Sequence, residues 1–152
     1  MTEIHSFYNN EILTGIAILS VLYQVRELEI SKALLVQPIL SYSGVLNFVK
    51  KKNTKIRSIE ELIAKKSLQF TNFNKRYFES LELSMNSILL MKQFGFLDIQ
   101  GDKLICGKMK FNLENETLGD RAIDIIKGAS NISNAIDKGE ASNLYLSLRI
   151  EL

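Results

Sequence analysis

The sequence contains one histidine, one cysteine, one proline and no tryptophan in 152 residues. Because His5 is the single histidine, the chain can form neither a catalytic dyad of two imidazoles nor a metal site with two imidazole ligands. The lone Cys106 cannot form an internal disulfide, which is typical of a protein from a reducing compartment. Because Cys106 lies in an apolar run, we expect an inert, buried thiol there.

The chain also lacks the motifs of common enzymes. It has no glycine-rich phosphate loop, because its candidate glycines flank a hairpin strand or interrupt a helix: Gly101, Gly107 and Gly128. Of the paired carboxylates, Glu60–Glu61 has the spacing of a helix cap, and Glu79 with Glu82 has that of a solvated helix face. We therefore predict a protein that is not an enzyme and that uses no cofactor and no metal.

Composition predicts one domain over residues 1–152. Hydrophobic residues make up 46% of the chain, enough for a core, and a single proline with eight glycines leaves no room for a long linker. The start, Met1–His5, lacks the basic and apolar segments of a signal peptide, so we expect a cytoplasmic protein. The apolar stretch 33–49 is short for a membrane span and is interrupted by polar residues and Pro38, so no membrane contact is expected.

The most telling segment is 78–106. Apolar residues at helical spacing lead to Gly95, the residue best able to end a helix in the left-handed conformation. Two short β-type runs follow, joined by the turn residues 100–103. This order predicts an α+β, mostly helical, winged-helix-like fold, with a β-hairpin wing at about residues 96–106 and extra flanking helices. Leu89 would lie on the buried stripe of the long helix, so Leu89→Asp should prevent folding.

The other elements follow from caps and periodicity. The first is a buried helix that is capped by Asn9 or Asn10 and runs to about Val25, and the second is a helix from Lys32 to about Lys52 that is capped by Ser31 and kinked or broken at Pro38. A short helix follows, from the capping box Ser58–Glu61 to about Lys66. After the hairpin we predict a strand around Met109, Phe111 and Leu113 and an amphipathic helix from Leu118 to Lys138. The tail 144–152 fits either a strand or a helix that ends in an extended tip.

Charge is distributed unevenly, and this bears on DNA binding. Residues 31–78 carry ten basic side chains against Glu60 and Glu61. The helix that would enter a DNA groove begins instead with Glu79 and Glu82, which would repel phosphates and disfavour base reading. Candidate contacts to the DNA backbone, without sequence preference, form one basic cluster: Lys50, Lys51, Lys52, Lys55 and Arg57. Lysines that close a helix also complement its dipole, which is the alternative explanation.

Apolar surface points to a protein partner. The two opening helices are apolar on nearly every side, and one domain has only one core in which to bury them. We expect part of this surface, or of the apolar tail, to remain exposed in the isolated chain. The candidate partner interface in the tail is Leu144, Tyr145, Leu146, Leu148 and Ile150.

Several segments together resemble a known family. They are the helix around Asn9–Asn10, the proline-containing run 32–40, Ser58–Ile63, Phe73–Tyr77 and the stop Gly95–Leu97. The chain resembles the small middle component of bacterial three-component ABC ATPase systems, of which Lamassu-type antiphage defence is the best-known example. The resemblance implies a non-enzymatic accessory subunit that binds near the head or coiled coil of an SMC- or Rad50-like ATPase, alongside a separate effector such as a nuclease.

The chain has no Walker lysine, no signature serine motif and no nuclease carboxylate set, which fits the accessory subunit rather than the ATPase or the effector. The family has no catalytic residues to transfer. A stand-alone winged-helix transcription regulator is the alternative, and the neighbouring genes distinguish the two. A long coiled-coil ATPase on one side and an effector on the other would favour the accessory subunit.

Overall fold

A computed structural model describes the backbone of residues 2–152 and the side chains of residues 10–152. The elements are α1 (Thr2–Val25), β1 (Glu27–Glu29), α2 (Ile30–Leu40), α3 (Ser43–Val49), α4 (Ile59–Lys65), α5 (Phe73–Gln93), β2 (Leu97–Gln100), β3 (Lys103–Cys106), α6 (Asp120–Lys138) and α7 (Ala141–Ser147), with 3₁₀ turns at Ser67–Phe70 and Glu116–Leu118. The predicted class, a mostly helical α+β fold with a winged-helix-like arrangement and a hairpin at about residues 96–106, is confirmed.

The three strands form one antiparallel sheet in the order β1-β3-β2. The prediction missed β1, which is only three residues long and carries a single buried apolar side chain, Leu28. The strand predicted around Met109–Leu113 is wrong, because that segment pairs with no strand of the sheet. That segment is irregular and returns to the end of α5, where Met109 N donates to the Gly95 carbonyl at 2.9 Å.

The hairpin is short and does not project freely. Its turn uses Gly101 with a φ of 65°, and the Asp102 carbonyl at its tip accepts from Ile30 N at 2.8 Å, which ties the tip to the start of α2. Cys106 was expected to be buried but is exposed. It is the last residue of β3 and lies beside the exposed Arg26.

Helix α1 occupies the centre of the domain and packs against α2, α5 and α6. Its residues 14–22 are all buried, which confirms the prediction of a buried first helix. The predicted start is wrong, because the helix begins at Thr2 and Asn10 is an exposed interior position. The alternative cap, the side chain of Asn9, lies outside the described side chains.

The predicted second helix is two helices. The break falls at Ser41–Tyr42, three residues after Pro38, which removes the backbone donor that would have bonded the Leu34 carbonyl. Ser31 is not the cap, because β1 runs directly into α2 and Glu29 stands at the cap position. Within the part of the chain that the structure describes, no helix combines the length and apolar character needed to cross a membrane.

Helix α5 ends where expected, at Gln93, and Gly95 follows with a φ of 83°. Its predicted start at Phe78 is wrong, because the helix begins at Phe73 and Glu79 lies almost two turns inside it.

The predicted buried stripe of α5 is wrong in part. Ile88 and Met91 are buried as predicted, whereas Leu89 is 56% exposed. Ser84 and Ser87 are also fully buried, and their small side chains allow the helix to approach its neighbours closely. We therefore withdraw the expectation that Leu89→Asp prevents folding.

The remaining local predictions mostly hold. Ser58 Oγ accepts from Glu61 N at 3.1 Å and begins α4, as predicted. The Glu61 carboxylate accepts from Arg57 N at 3.4 Å, one residue before the donor that the predicted capping box uses. The amphipathic helix is α6, although it begins at Asp120 rather than at Leu118. The tail forms a helix, α7, as one of the two predictions had it, but the helix continues into a turn at residues 148–149, where Arg149 has a φ of 59°, rather than directly into an extended tip.

Candidate functional site

The outward side of α5 exposes three large apolar side chains. Phe78 is 43% exposed, Met85 49% and Leu89 56%. They lie seven and four positions apart, so they share one side of the helix, which we call the α5 face. The sequence showed these apolar residues but not their exposure, because periodicity alone gave the wrong orientation of the helix.

The charges around the α5 face are of both signs, and Lys92, seven positions after Met85, lies on the face itself. Glu79 and Glu82 are exposed, and Lys75 lies 3.8 Å from Glu79 in a solvated ion pair. A helix that reads DNA presents Arg, Lys, Asn or Gln to base edges. The α5 face instead presents two aliphatic side chains and an aromatic ring beside carboxylates, which is the chemistry of a protein interface.

A cleft of about 460 Å³ extends the α5 face at the end of the helix. It is lined by Leu89, Lys92, Gln93, Gly95, Leu97, Asp98, Gly107 and Lys108. Two large apolar side chains nearby in the chain, Phe94 and Met109, are more than half exposed. Concave surface beside exposed apolar side chains is what an interface needs to seat a partner's side chain.

The predicted basic cluster lies in the segment between α3 and α4. Lys51, Lys52, Lys55 and Arg57 are exposed. Lys50 differs from them, because its Nζ pairs with Asp124 Oδ2 of α6 at 3.1 Å and both side chains are about one-third exposed. Lys50 therefore anchors the segment and is the least available of the five to an external phosphate.

This segment is held in place by polar bonds to the rest of the domain. Asn131 of α6 donates from Nδ2 to the carbonyls of Val49 at 2.6 Å and Lys51 at 3.1 Å. Thr54 Oγ1 donates to the Phe48 carbonyl at 3.1 Å, and the Ile56 side chain is buried. The lysine side chains point outward from a backbone that is fixed.

The predicted tail interface is mostly inside the domain. Leu144, Leu148 and Ile150 belong to the core, and each is less than one-tenth exposed. Tyr145 is half-buried, and its hydroxyl donates to the Ser31 carbonyl at 2.6 Å. Only Leu146, at 73%, is well exposed. Internal packing therefore explains the apolar pattern of the tail, and the exposed apolar surface lies on α5 instead.

Arg76 is an unusual side chain that sequence reasoning did not single out. Its guanidinium carbon lies 4.4 Å from the centre of the Tyr42 ring and 5.3 Å from that of Phe73. Among the described residues its three buried nitrogens have no hydrogen-bond acceptor. Burial lowers the pKa of the Arg76 guanidinium, and the neighbouring Tyr42 opposes this shift. In the sequence Arg76 lies among aromatic residues, and this pattern alone does not indicate that its guanidinium is packed between two rings.

Metal chemistry finds no support in the described side chains, where no three His, Cys, Asp or Glu residues come together. The two surfaces with distinct chemistry are thus the apolar α5 face, which charges of both signs border, and the basic segment between α3 and α4. No protein-family model, no curated protein and no solved structure matches this chain.

Proposed function

We propose that the protein is a non-enzymatic accessory subunit of an SMC- or Rad50-like ATPase complex in bacterial defence against phages and plasmids. It binds the ATPase near its head or coiled coil and helps to couple DNA sensing to a separate effector, such as a nuclease. The observation that carries the proposal is the α5 face, where Phe78, Met85 and Leu89 are 43%, 49% and 56% exposed on the helix that would otherwise read DNA. The resemblance of the chain to middle components supplies the identity of the partner.

A coiled-coil surface suits the α5 face geometrically. An amphipathic helix presents apolar side chains every three or four residues, the same spacing at which Met85 and Leu89 follow each other. Fully burying a side chain of this size contributes about 1.5–3 kcal/mol, and the side chains of the α5 face are already about half-buried. A stable complex therefore needs further contacts, for which the cleft at the end of α5 offers surface.

Co-expression with an SMC- or Rad50-like coiled-coil ATPase, sought among the neighbouring genes, tests the proposal. Wild-type protein should co-purify with the ATPase, and Met85→Arg with Leu89→Arg should abolish co-purification, because two charges would enter an apolar contact. Leu146→Arg is the matched control, because this leucine is 73% exposed and lies outside the α5 face. Equal retention of the ATPase by the wild type and the double variant would overturn the assignment to the α5 face.

A stand-alone transcription regulator is the second candidate. The order β1-β3-β2 and the hairpin directly after α5 favour it, because winged helices of this kind bind DNA. This candidate requires tight binding to one operator through α5. The same Met85→Arg and Leu89→Arg variant, which adds cations to that helix, would then retain or strengthen DNA binding instead of losing a protein partner. Selection of genomic fragments on the immobilised wild-type protein, followed by titration, measures this.

A further inference from the structure

Residues 41–72 form an insert between two helices of the winged-helix core. Helices α2 and α5 pack against each other, but α3, the segment 50–58, α4 and a 3₁₀ turn lie between them in the chain. In a helix-turn-helix unit the corresponding connection is a turn of about 3–4 residues. The insert packs mainly against α6, whereas α5 packs against α1 and α2.

The insert brings two groups of cations onto one surface. The ammonium groups of Lys66 and Lys65, at the end of α4, lie 5.0 Å and 6.0 Å from the centre of the Phe48 ring. The carbonyl of the same Phe48 accepts from Thr54 in the segment that carries the predicted basic cluster. We call the combined set the basic surface: Lys51, Lys52, Lys55, Arg57, Lys65 and Lys66.

Most of this charge is not neutralised by the described side chains. Lys65 is paired, with Glu61 at 3.1 Å, and no other member of the basic surface lies in an ion pair with a described carboxylate. Glu60, the other acidic residue of the insert, accepts from Ser147 Oγ of α7 at 2.9 Å. The backbone of the segment is already fixed by Asn131, so little ordering is needed before a ligand binds.

We infer that the basic surface binds the sugar–phosphate backbone of duplex DNA without reading its sequence. Five of its six cations are lysines, which interact with phosphates as point charges and do not select bases. The cations of the basic surface are presented from the segment 50–58 and from the end of α4, which spans only Ile59–Lys65, and not from a helix long enough to read a groove. The inference concerns a different surface from the α5 face and holds whether or not the protein serves an ATPase.

Fluorescence anisotropy of the full-length chain with a short labelled duplex of mixed sequence tests the inference. The test variant is Lys51→Gln, Lys52→Gln, Lys55→Gln and Lys66→Gln, and the matched control carries four exposed lysines changed elsewhere: Lys75→Gln, Lys92→Gln, Lys108→Gln and Lys110→Gln. The test variant should bind about tenfold more weakly at low salt, and its salt slope should fall by about 0.9 for each phosphate that is no longer neutralised. The control should bind less than about threefold more weakly at the same salt concentration.

A third variant separates charge from order. Asn131→Ala keeps every cation but removes the two bonds that fix the segment. It should bind several-fold more weakly with an unaltered salt slope, because the contacts still form but the segment must first be ordered. Equal weakening in the two lysine variants would assign binding to net charge and overturn the inference. Tighter binding of single-stranded RNA than of the duplex would overturn it too, and unchanged affinity in Asn131→Ala would overturn the role of the fixed segment.

Discussion

The hydroxyl oxygens of Tyr77 and Tyr145 lie 3.0 Å apart. Their rings meet edge to face with centroids 5.4 Å apart, and the Tyr145 hydroxyl also donates to the Ser31 carbonyl at 2.6 Å. Because Tyr145 donates to Ser31, Tyr77 must donate to Tyr145. The pair therefore joins α5, α7 and the beginning of α2, which are distant in the chain.

Removing the Tyr145 hydroxyl should destabilise the domain. Tyr145→Phe leaves the Ser31 carbonyl and the Tyr77 hydroxyl without their partner, and we expect a loss of about 1–3 kcal/mol in the free energy of unfolding. Urea denaturation followed by circular dichroism measures this loss. Tyr42→Phe is the control, because Tyr42 is 43% exposed and should change stability by less than about 0.5 kcal/mol. Equal stability of Tyr145→Phe and the wild type would show that the pair contributes nothing.

The same tyrosine predicts a pH dependence at the alkaline end. Burial, with the hydrogen bond to Tyr77, raises the pKa of Tyr145 far above its ordinary value of 10.0. Deprotonation of Tyr145 is thus harder in the folded state than in the unfolded state. The stabilising effect of the Tyr145 hydroxyl is complete below pH 10 and is lost as the pH rises above the pKa that Tyr145 has in the unfolded state. Between pH 9 and pH 11, Tyr145→Phe should therefore lose less stability than the wild type, as measured by chemical denaturation at each pH. Burial also raises the pKa of Tyr23, but Tyr23 is present in both proteins.

The segment from α5 to the hairpin was predictable because its signals are local. A long helical run, Gly95 as the stop and turn residues before Lys103 all act over a few neighbouring positions. Strand β1 was not predictable from its own residues, because Leu28 is its single buried apolar side chain and its pairing with β3 depends on contacts far away in the chain.

The orientation of α5 was not predictable for a different reason. The helix carries apolar residues on several sides, so hydrophobic periodicity fits more than one buried face. The close approach of α1 decides between them, because Gly15 faces Met91 and two of the other buried positions of α5 are the serines Ser84 and Ser87. The α5 face as a candidate site follows from this packing, whereas the basic cluster could be predicted because its charges are adjacent in the sequence.

A pair of substitutions tests the observed orientation of α5. Leu89→Asp should change the free energy of unfolding by less than about 0.5–1 kcal/mol, because Leu89 is 56% exposed and the new charge stays solvated. Met91→Asp should prevent folding, because Met91 is 2% exposed and a carboxylate there would be buried without a partner. Thermal melting of both variants distinguishes the two faces. A folded Met91→Asp with an unfolded Leu89→Asp would reverse the orientation.

The last prediction concerns Arg76, whose buried nitrogens have no acceptor among the described residues. An unpaired buried donor costs about 1–3 kcal/mol, which the two ring contacts offset only in part, at about 0.5–2 kcal/mol. Arg76→Met keeps a long side chain between Tyr42 and Phe73 but removes the donors, so we expect the variant to be more stable than the wild type, by about 1 kcal/mol. Arg76→Lys is the control: it retains the charge but not the planar group that stacks on the rings, so it should be less stable than both. Differential scanning calorimetry ranks the three proteins, and a Met variant that melts below the wild type would mean that the guanidinium has an acceptor in solution.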